Sequence, residues 1–179
     1  MTAAQRHEVE QYISEALALI RLRGAGLRLT MGRKDDAHVV MVGGTGSEVF
    51  KSRRLARFLR DCEEALLMGA TAGSEVMAAI AGDATGDRLT RGVVLDATAS
   101  EMVDASLDWI MSYFQRELRR ENKTLTKKRY SAGYGDFVLE NQRVLFKFLE
   151  LDRIGVAITD NYILVPEKSV TAIAGVRGT

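Results

Sequence analysis

The residues best suited to bind a small charged ligand lie in one short segment, R-Y-S-A-G-Y-G-D, which begins at Arg129. The planar guanidinium of Arg129 can pair with a carboxylate, a contact worth about 1.5–3 kcal/mol when it is partly buried. Tyr130 and Tyr134 can stack on a ring or face a positive centre. Gly133 and Gly135 have no Cβ atom, so their backbone can approach a ligand closely. The alternative interpretation is a tyrosine-rich turn that leads into a helix.

A second group of candidate residues is acidic. Glu101, Asp104 and Asp108 lie at positions i, i+3 and i+7 of a predicted long helix, so their carboxylates share one face. A solvated helix face is one interpretation of this pattern. The other is that one of the three carboxylates binds a cationic ligand.

The remaining reactive residue types occur in patterns that argue against several kinds of chemistry. His7 and His38 are the only histidines, and neither belongs to a metal-ligand pattern or a serine triad. The single cysteine, Cys62, excludes an internal disulfide and a Cys-pair metal site, and we predict that it is a small core residue. The glycine-rich segment 43–47 lacks the lysine and the spacing of a P-loop, so we interpret it as an ordinary turn.

The composition is that of one globular domain over residues 1–179. Hydrophobic residues make up 46% and charged residues 27% of the chain, and the formal net charge is +1. No overall field therefore favours nucleic acid or a membrane surface. Basic residues do cluster in 51–60 and 116–129, but apolar residues interrupt the first cluster and acidic and apolar residues interrupt the second, which indicates solvated helix faces. With one cysteine, no signal-peptide core and no apolar run of membrane-spanning length, we expect a cytoplasmic location.

The hydrophobic pattern predicts the elements that position these residues. Helical spacing predicts helices over about 5–22, from Ser52, from Gly73, over about 90–120 and over about 138–151. We expect Gly24 and Gly26 to end the first of these helices. Apolar and β-branched runs predict strands over 38–42, 65–68, 156–159, 162–165 and 170–176. Strands at both ends around central helices predict an α+β fold with a twisted, mostly antiparallel sheet and flanking helices.

Several segments taken together resemble a known family. Arg129-x-x-x-Gly133-Tyr134 resembles the R-x-x-x-G-Y signature of the activation domain of cobalamin-dependent methionine synthase. The segments 62–73 (C-E-E-A-L-L-M-G-A-T-A-G), 95–100 (L-D-A-T-A-S), 139–142 (L-E-x-Q), 155–156 (G-V) and 166–170 (P-x-K-S-V) are similar to free-standing bacterial versions of that domain. The resemblance runs from about residue 52 to residue 176, and it implies the fold of the activation domain.

The resemblance also implies a function. In that family the signature binds S-adenosylmethionine, and the domain holds this ligand over cobalamin while a flavodoxin-like donor supplies an electron. The sulfonium methyl group then moves to cobalt. Cobalamin would be carried by a partner, a corrinoid-binding methyltransferase or a methionine synthase subunit. Because the domain mainly positions its ligand, the resemblance implies no catalytic acid or base, which agrees with the residue patterns.

Individual residues take their expected roles from the same resemblance. Arg129 would meet the methionyl carboxylate or nearby backbone, and Gly133 and Tyr134 would line the pocket. Ala132 belongs to the same loop but replaces a proline that is usual in the family, which removes a fixed φ angle. Glu121 resembles an acidic family residue that precedes the signature, and Asp104 stands where the family has a glutamate on its long helix.

Two alternatives to this function stay open. The first is a non-catalytic module that binds or chaperones a corrinoid protein without using S-adenosylmethionine, which the loosened loop at Ala132 favours. The second is an unrelated methyltransferase with its own substrate, which is less favoured because no group that would activate a nucleophile stands out.

Overall fold

The computed structural model describes residues 2–44, 46–84 and 88–179, and Thr45 of the predicted turn 43–47 lies outside them. The elements in chain order are α1 (Ala3–Leu19), β1 (Arg23–Lys34), β2 (His38–Gly43), β3 (Gly46–Lys51), α2 (Arg53–Phe58), β4 (Glu64–Thr71), α3 (Ser74–Ala84), α4 (Leu89–Arg119), β5 (Lys123–Leu125), α5 (Asn141–Leu149), a 3₁₀ turn (Leu151–Ile154), β6 (Ala157–Ile158), β7 (Leu164–Val165) and β8 (Ser169–Gly178).

Six of the strands form one sheet in the order β3-β2-β1-β4-β8-β5, and every neighbouring pair is antiparallel. The register at the centre of the sheet places Leu67 of β4 between Leu27 of β1 and Ile173 of β8. Strands β6 and β7 form a separate two-stranded antiparallel sheet. The predicted α+β fold with an antiparallel sheet and flanking helices is confirmed.

Each face of the large sheet packs against its own group of helices. On one face, Phe50, Leu55, Leu67, Phe137, Leu145 and Ile173 form a core with α2 and α5. On the other face, Leu66, Met68, Leu95, Val103, Leu107 and Ala172 form a core with α1, α3 and α4. Successive residues of a strand point to opposite faces, so the central strand β4 contributes to both cores and is almost entirely apolar.

Strand β1 corrects the prediction that Gly24 and Gly26 end the first helix. Both glycines lie in β1, directly under the long helix α4. A Cβ atom on Gly26 would lie 2.6 Å from Cε2 of Phe114, and one on Gly24 would lie 3.0 Å from Cδ1 of Ile110. The glycines therefore allow α4 to approach the sheet, and helix α1 ends earlier, at Leu19.

The other differences are missed strands and one shorter helix. Strands β1, β3 and β5 were not predicted, and α5 covers 141–149 rather than about 138–151 because Glu150 adopts a left-handed conformation (φ 47°) that ends it. Two finer predictions are confirmed: Oγ of Ser52 accepts a hydrogen bond from the Leu55 amide and caps α2, and Cys62 is buried. Over the described residues, no helix combines the length and the apolar character that crossing a bilayer requires.

Candidate functional site

The loop that begins at Arg129 is held to the sheet by backbone hydrogen bonds. The amide of Tyr130 donates to the carbonyl of Ile173 in β8, and the amide of Ile173 donates back to Tyr130, both at 2.8 Å. Within the loop the amide of Gly133 donates to the carbonyl of Phe137 at 2.7 Å, where Gly133 has a φ of 90° that favours glycine. Gly135 also has a positive φ, 61°, and a Cβ atom there would lie 2.7 Å from Cδ of Arg54.

Asp136 fixes the far end of the loop to the start of helix α2. Its carboxylate accepts hydrogen bonds from the Ser52 hydroxyl at 2.6 Å and from the Arg53 amide at 2.8 Å. These hydrogen bonds, that of Ser52 above all, hold the pKa of Asp136 below its ordinary value. The loop is therefore tied at one end to β8 and at the other end to α2, which gives it a defined shape.

This loop borders a cavity of about 500 Å³, which we call the Arg129 cavity. Helix α4, the first residues of α5, the region of β7 and the start of β8 form the remaining walls. The side chains that matter below are Asp104, Arg129, Ala132, Tyr134, Tyr162 and Glu167. The described surface contains larger hollows of about 720–770 Å³, so volume alone does not select the site.

The guanidinium of Arg129 is held by two carboxylates from α4. Its Nη2 atom lies 2.5 Å from Oδ1 of Asp104, and its Nη1 atom pairs with Asp108. Burial lowers the pKa of Arg129, but the hydrogen bonds with the two aspartates outweigh this effect and raise the pKa above its ordinary value. The acidic face predicted on the long helix thus binds a cation of the protein itself. Arg129 is 21% exposed, whereas the aspartates are 64% and 67% exposed.

The rest of the cavity lining suits a ligand that carries positive charge. Tyr134 is 68% exposed, and Tyr162 contributes a second phenol ring, over which the guanidinium carbon of Arg143 lies 5.2 Å from the ring centroid. Glu167 also lines the cavity and takes part in no ion pair within the described part of the chain. Together with Asp104, it gives the lining two carboxylates against the single guanidinium of Arg129. Carboxylates and aromatic faces both attract a cation.

The buried wall of the cavity contains one fixed polar pair. The Thr171 hydroxyl donates to Oε1 of Gln142 at 2.9 Å, and both residues are buried. Thr171 belongs to β8 and Gln142 to α5, so this hydrogen bond joins two of the cavity walls. The pair presents polar groups at a surface that is otherwise made largely of aromatic and aliphatic side chains.

The structure brings four of the six predicted site residues to this cavity: Asp104, Arg129, Ala132 and Tyr134. Gly133 turns the chain between Ala132 and Tyr134 without lining the cavity itself.

Glu121 lies elsewhere and does not line the Arg129 cavity. Its two carboxylate oxygens accept hydrogen bonds from Nη1 and Nη2 of Arg28 at 2.7 and 2.6 Å, and Nζ of Lys123 lies 3.5 Å away. Arg28 and Lys123 also pair with Glu64, which completes what we call the Arg28 cluster. The hydrogen bonds from Arg28 lower the pKa of Glu121 to about 2. A ligand contact for Glu121 finds no support in this geometry.

Sequence reasoning did not identify Gln142, Tyr162 and Glu167 as site residues. Gln142 belongs to the motif series of the resemblance, so its place there was an available signal, whereas Glu167 occupies the unspecified position of P-x-K-S-V. Tyr162 begins the predicted strand 162–165, and its left-handed backbone (φ 63°) had no signal in the sequence. Within the described ranges, no group of three His, Cys, Asp or Glu residues is placed to hold a metal ion.

Comparisons with known proteins bear on the fold. The sequence matches no family model, and no curated protein matches it. Among solved structures, the chain is similar to a crystal structure of the MetH reactivation domain bound to AdoHcy, with a TM-score of 0.71 and 14% sequence identity. The match covers 96% of this chain and 65% of that chain, so this chain spans less than two thirds of its length. This protein therefore has the α+β fold of the MetH reactivation domain.

Proposed function

We propose that this protein binds S-adenosylmethionine in the Arg129 cavity and presents its methyl group to a corrinoid held by a partner protein. The observation that carries the proposal is the arginine at the cavity wall, paired with exposed carboxylates that a ligand carboxylate can replace. The fold supports the proposal, because the similar MetH reactivation domain was crystallised with AdoHcy, the product that S-adenosylmethionine leaves after methyl transfer.

The chemistry of the ligand agrees with the chemistry of the cavity. Its methionyl carboxylate matches the planar fork of Arg129. Its sulfonium and ammonium groups carry positive charge, and Glu167, Tyr134 and Tyr162 offer a carboxylate and two aromatic rings to such groups. A cavity of about 500 Å³ lies in the range that small-molecule ligands occupy.

Ligand binding requires Arg129 to exchange one carboxylate for another. Asp108 is two-thirds exposed and does not line the cavity, so it can move to solvent at little cost. The guanidinium would then keep two carboxylate partners, Asp104 and the ligand. The exchange gives up an exposed pair worth about 0.2–1 kcal/mol for a partly buried contact worth about 1.5–3 kcal/mol, so Arg129 still favours the bound ligand.

The role of the chain in the reaction is to bind and orient. Arg129 would fix the carboxylate end of the ligand, and the loop at Gly133 and Tyr134 would direct the sulfonium methyl towards the partner. The S–CH₃ bond breaks and its electron pair stays on sulfur, so the product is the neutral thioether. A corrinoid held by the partner would supply the electron pair for the new bond to the methyl carbon, once a flavodoxin-like donor had reduced it by one electron.

Titration calorimetry with S-adenosylmethionine tests the proposal. We expect wild-type protein to bind it and Arg129→Ala to bind it at least roughly tenfold more weakly. Glu121→Gln is the matched control, because it also removes one charge from an arginine–carboxylate cluster, and it should bind like wild type. If wild-type protein binds no S-adenosylmethionine, alone or with its corrinoid partner, the proposal is wrong.

A second candidate function is a module that binds a corrinoid protein without using S-adenosylmethionine. The observation that favours it is that Asp104 and Asp108 already satisfy Arg129. The two candidates differ in the effect of Arg129→Ala. Reductive methylation of the partner should be lost in the first case, whereas in the second case the wild type shows no methyl transfer and the variant still binds the corrinoid protein.

A further inference from the structure

A cationic groove and an apolar hollow meet at Trp109, away from the ligand-binding residues discussed above. The groove, of about 770 Å³, runs between the C-terminal half of α4 and strand β5. The hollow, of about 720 Å³, lies between α4 and the start of β1. Trp109 lines both of them. We call the two together the Trp109 surface, formed chiefly by Trp109, Tyr113, Arg116, Arg119, Lys123 and Lys127.

Positive charge dominates the groove side of this surface. Residues 116–129 include seven basic and two acidic residues, and the two acidic residues do not line the groove. Arg116, Arg119 and Lys127 line it, and none of these three has a carboxylate partner within the described ranges. Lys123 is the exception, because it pairs with Glu64 at 2.6 Å. The groove thus carries three cations that no carboxylate of the described residues neutralises.

Exposed aromatic rings separate the groove from the apolar hollow. Trp109 is 67% exposed and Tyr113 is 46% exposed, and their rings stack with centroids 6.1 Å apart. The guanidinium of Arg116 lies 6.0 Å from the Tyr113 ring. Beyond the rings, Leu22 and Met102 contribute to the apolar hollow. Tryptophan, tyrosine and arginine are the side chains that most often dominate the binding energy of protein–protein interfaces.

From this arrangement we propose that the Trp109 surface docks a partner protein through an acidic face that carries an exposed apolar side chain. The acidic groups would meet the unpaired cations of the groove, and the apolar side chain would enter the hollow beside Trp109. Nucleic acid is less favoured, because the whole chain has a net charge of +1 and half of the surface is apolar. The proposal goes beyond ligand binding and does not depend on S-adenosylmethionine.

The Trp109 surface and the Arg129 cavity share two segments of the chain but no lining residue. Helix α4 carries Leu107 in the cavity wall and Trp109 in the surface. The segment after β5 carries Lys127 in the groove and Arg129 in the cavity. Because residues two apart on a helix face different sides, a partner on the Trp109 surface would not cover a ligand in the Arg129 cavity, so partner binding and ligand binding should be compatible.

Fluorescence anisotropy with labelled peptides tests the docking surface. We expect full-length protein to bind a peptide of alternating glutamate and leucine more tightly than an all-glutamate peptide, with affinity that falls as salt is raised. Trp109→Ala should weaken binding of the first peptide about tenfold, as expected for a buried aromatic contact. The double variant Arg119→Glu with Lys127→Glu should weaken the binding of both peptides at least about tenfold.

The matched control reverses two charges in the other basic cluster, with Lys51→Glu and Arg57→Glu, and it should leave peptide binding unchanged. The proposal is overturned if the glutamate–leucine peptide does not bind or if the control weakens it equally. It is also overturned if single-stranded DNA or phosphatidylserine vesicles bind more tightly than the glutamate–leucine peptide and if the groove variants lose that binding. S-adenosylmethionine titration of each variant separates this outcome from the ligand proposal, because the surface variants should retain the affinity of wild type.

Discussion

Arg28 and Arg129 each hold a pair of carboxylates, but their surroundings differ. In the Arg28 cluster, Glu64 is 14% exposed, and Lys123 supplies a second positive charge, so that two cations meet two carboxylates. Around Arg129, both aspartates are about two-thirds exposed, and no second cation pairs with them in the described ranges. The charges of the first arrangement cancel, and it is partly buried. The second arrangement carries an excess of negative charge and lies beside a cavity.

The difference shows how similar ion pairs can serve stability in one place and binding in another. A buried carboxylate that loses its partner is costly, so the Arg28 cluster should resist exchange. An exposed aspartate loses little when it returns to water, so Arg129 can accept a different carboxylate. We therefore expect changes in the Arg28 cluster to alter the free energy of unfolding, and changes around Arg129 to alter ligand affinity.

The largest expected effect belongs to Arg129→Ala. Loss of the guanidinium removes a charge-assisted contact of about 1.5–3 kcal/mol, so affinity for S-adenosylmethionine should fall roughly 10- to 100-fold. The free energy of unfolding should change by less than about 1 kcal/mol, because the partners of Arg129 are exposed. Calorimetry and urea denaturation measure the two quantities. A large loss of stability with unchanged affinity would contradict the comparison, because it would show that Arg129 stabilises the fold and does not bind the ligand.

The second-largest effect is expected for Arg28→Ala, which should lower the free energy of unfolding and leave ligand affinity nearly unchanged. Removal of Arg28 leaves the mostly buried Glu64 with Lys123 alone, and we expect a loss of about 1–3 kcal/mol in the free energy of unfolding. Affinity for S-adenosylmethionine should remain within about twofold of wild type, since the cluster does not line the cavity. The same two experiments apply, and a marked loss of affinity in a folded variant would show that the clusters are not separate.

A smaller effect tests whether Asp108 competes with the ligand. Asp108→Asn weakens a contact typical of exposed pairs, about 0.2–1 kcal/mol, so affinity for S-adenosylmethionine should rise by up to about fivefold. Affinity for 5′-methylthioadenosine, which has no carboxylate, should not change. Glu101→Gln on the same helix controls for the loss of one negative charge. An equal rise for both ligands, or a fall for S-adenosylmethionine, would contradict competition at Arg129.

The smallest effect is the pH dependence of the stability that Glu121 contributes through the Arg28 cluster. The pKa of Glu121 is lowered to about 2 from an ordinary value of 4.5, so its contribution to stability is fully present above about pH 5. It declines as the pH falls from there towards 2, where the folded form also takes up the proton. The difference in melting temperature between wild type and Glu121→Gln should therefore shrink between pH 5 and pH 2. A difference that persists at pH 2 would contradict the assigned pKa.

Local sequence patterns predict much of this fold. Where the predictions fail, the cause is a contact between residues that are far apart in the sequence. The long helix is predicted well because its buried positions, among them Val103, Leu107 and Ile110, repeat every three to four residues. Gly24 and Gly26 look like helix terminators in the sequence, but their role is to let Ile110 and Phe114 approach the sheet. These contacts join residues more than 80 positions apart, and no local pattern contains that information.

The residues of the candidate site likewise fall into those that local sequence predicts and those that only the folded chain brings together. Arg129 and Tyr134 are recognisable from residue type and spacing in one loop, and Asp104 from its position on a helix face. Tyr162 and Glu167 reach the cavity only because β7 and the start of β8 lie beside that loop. Glu121 shows the reverse case: it is only eight positions before Arg129, yet the chain passes through β5 between them and directs Glu121 towards Arg28.

A crystal structure of the protein with S-adenosylmethionine tests the central claim most directly. We expect the ligand in the Arg129 cavity, with its carboxylate hydrogen-bonded to the guanidinium of Arg129 and with Asp108 released to solvent. The Arg28 cluster should keep its present contacts with Glu64 and Glu121. A ligand bound elsewhere, or one bound in the cavity while Asp104 and Asp108 still occupy Arg129, would contradict the account.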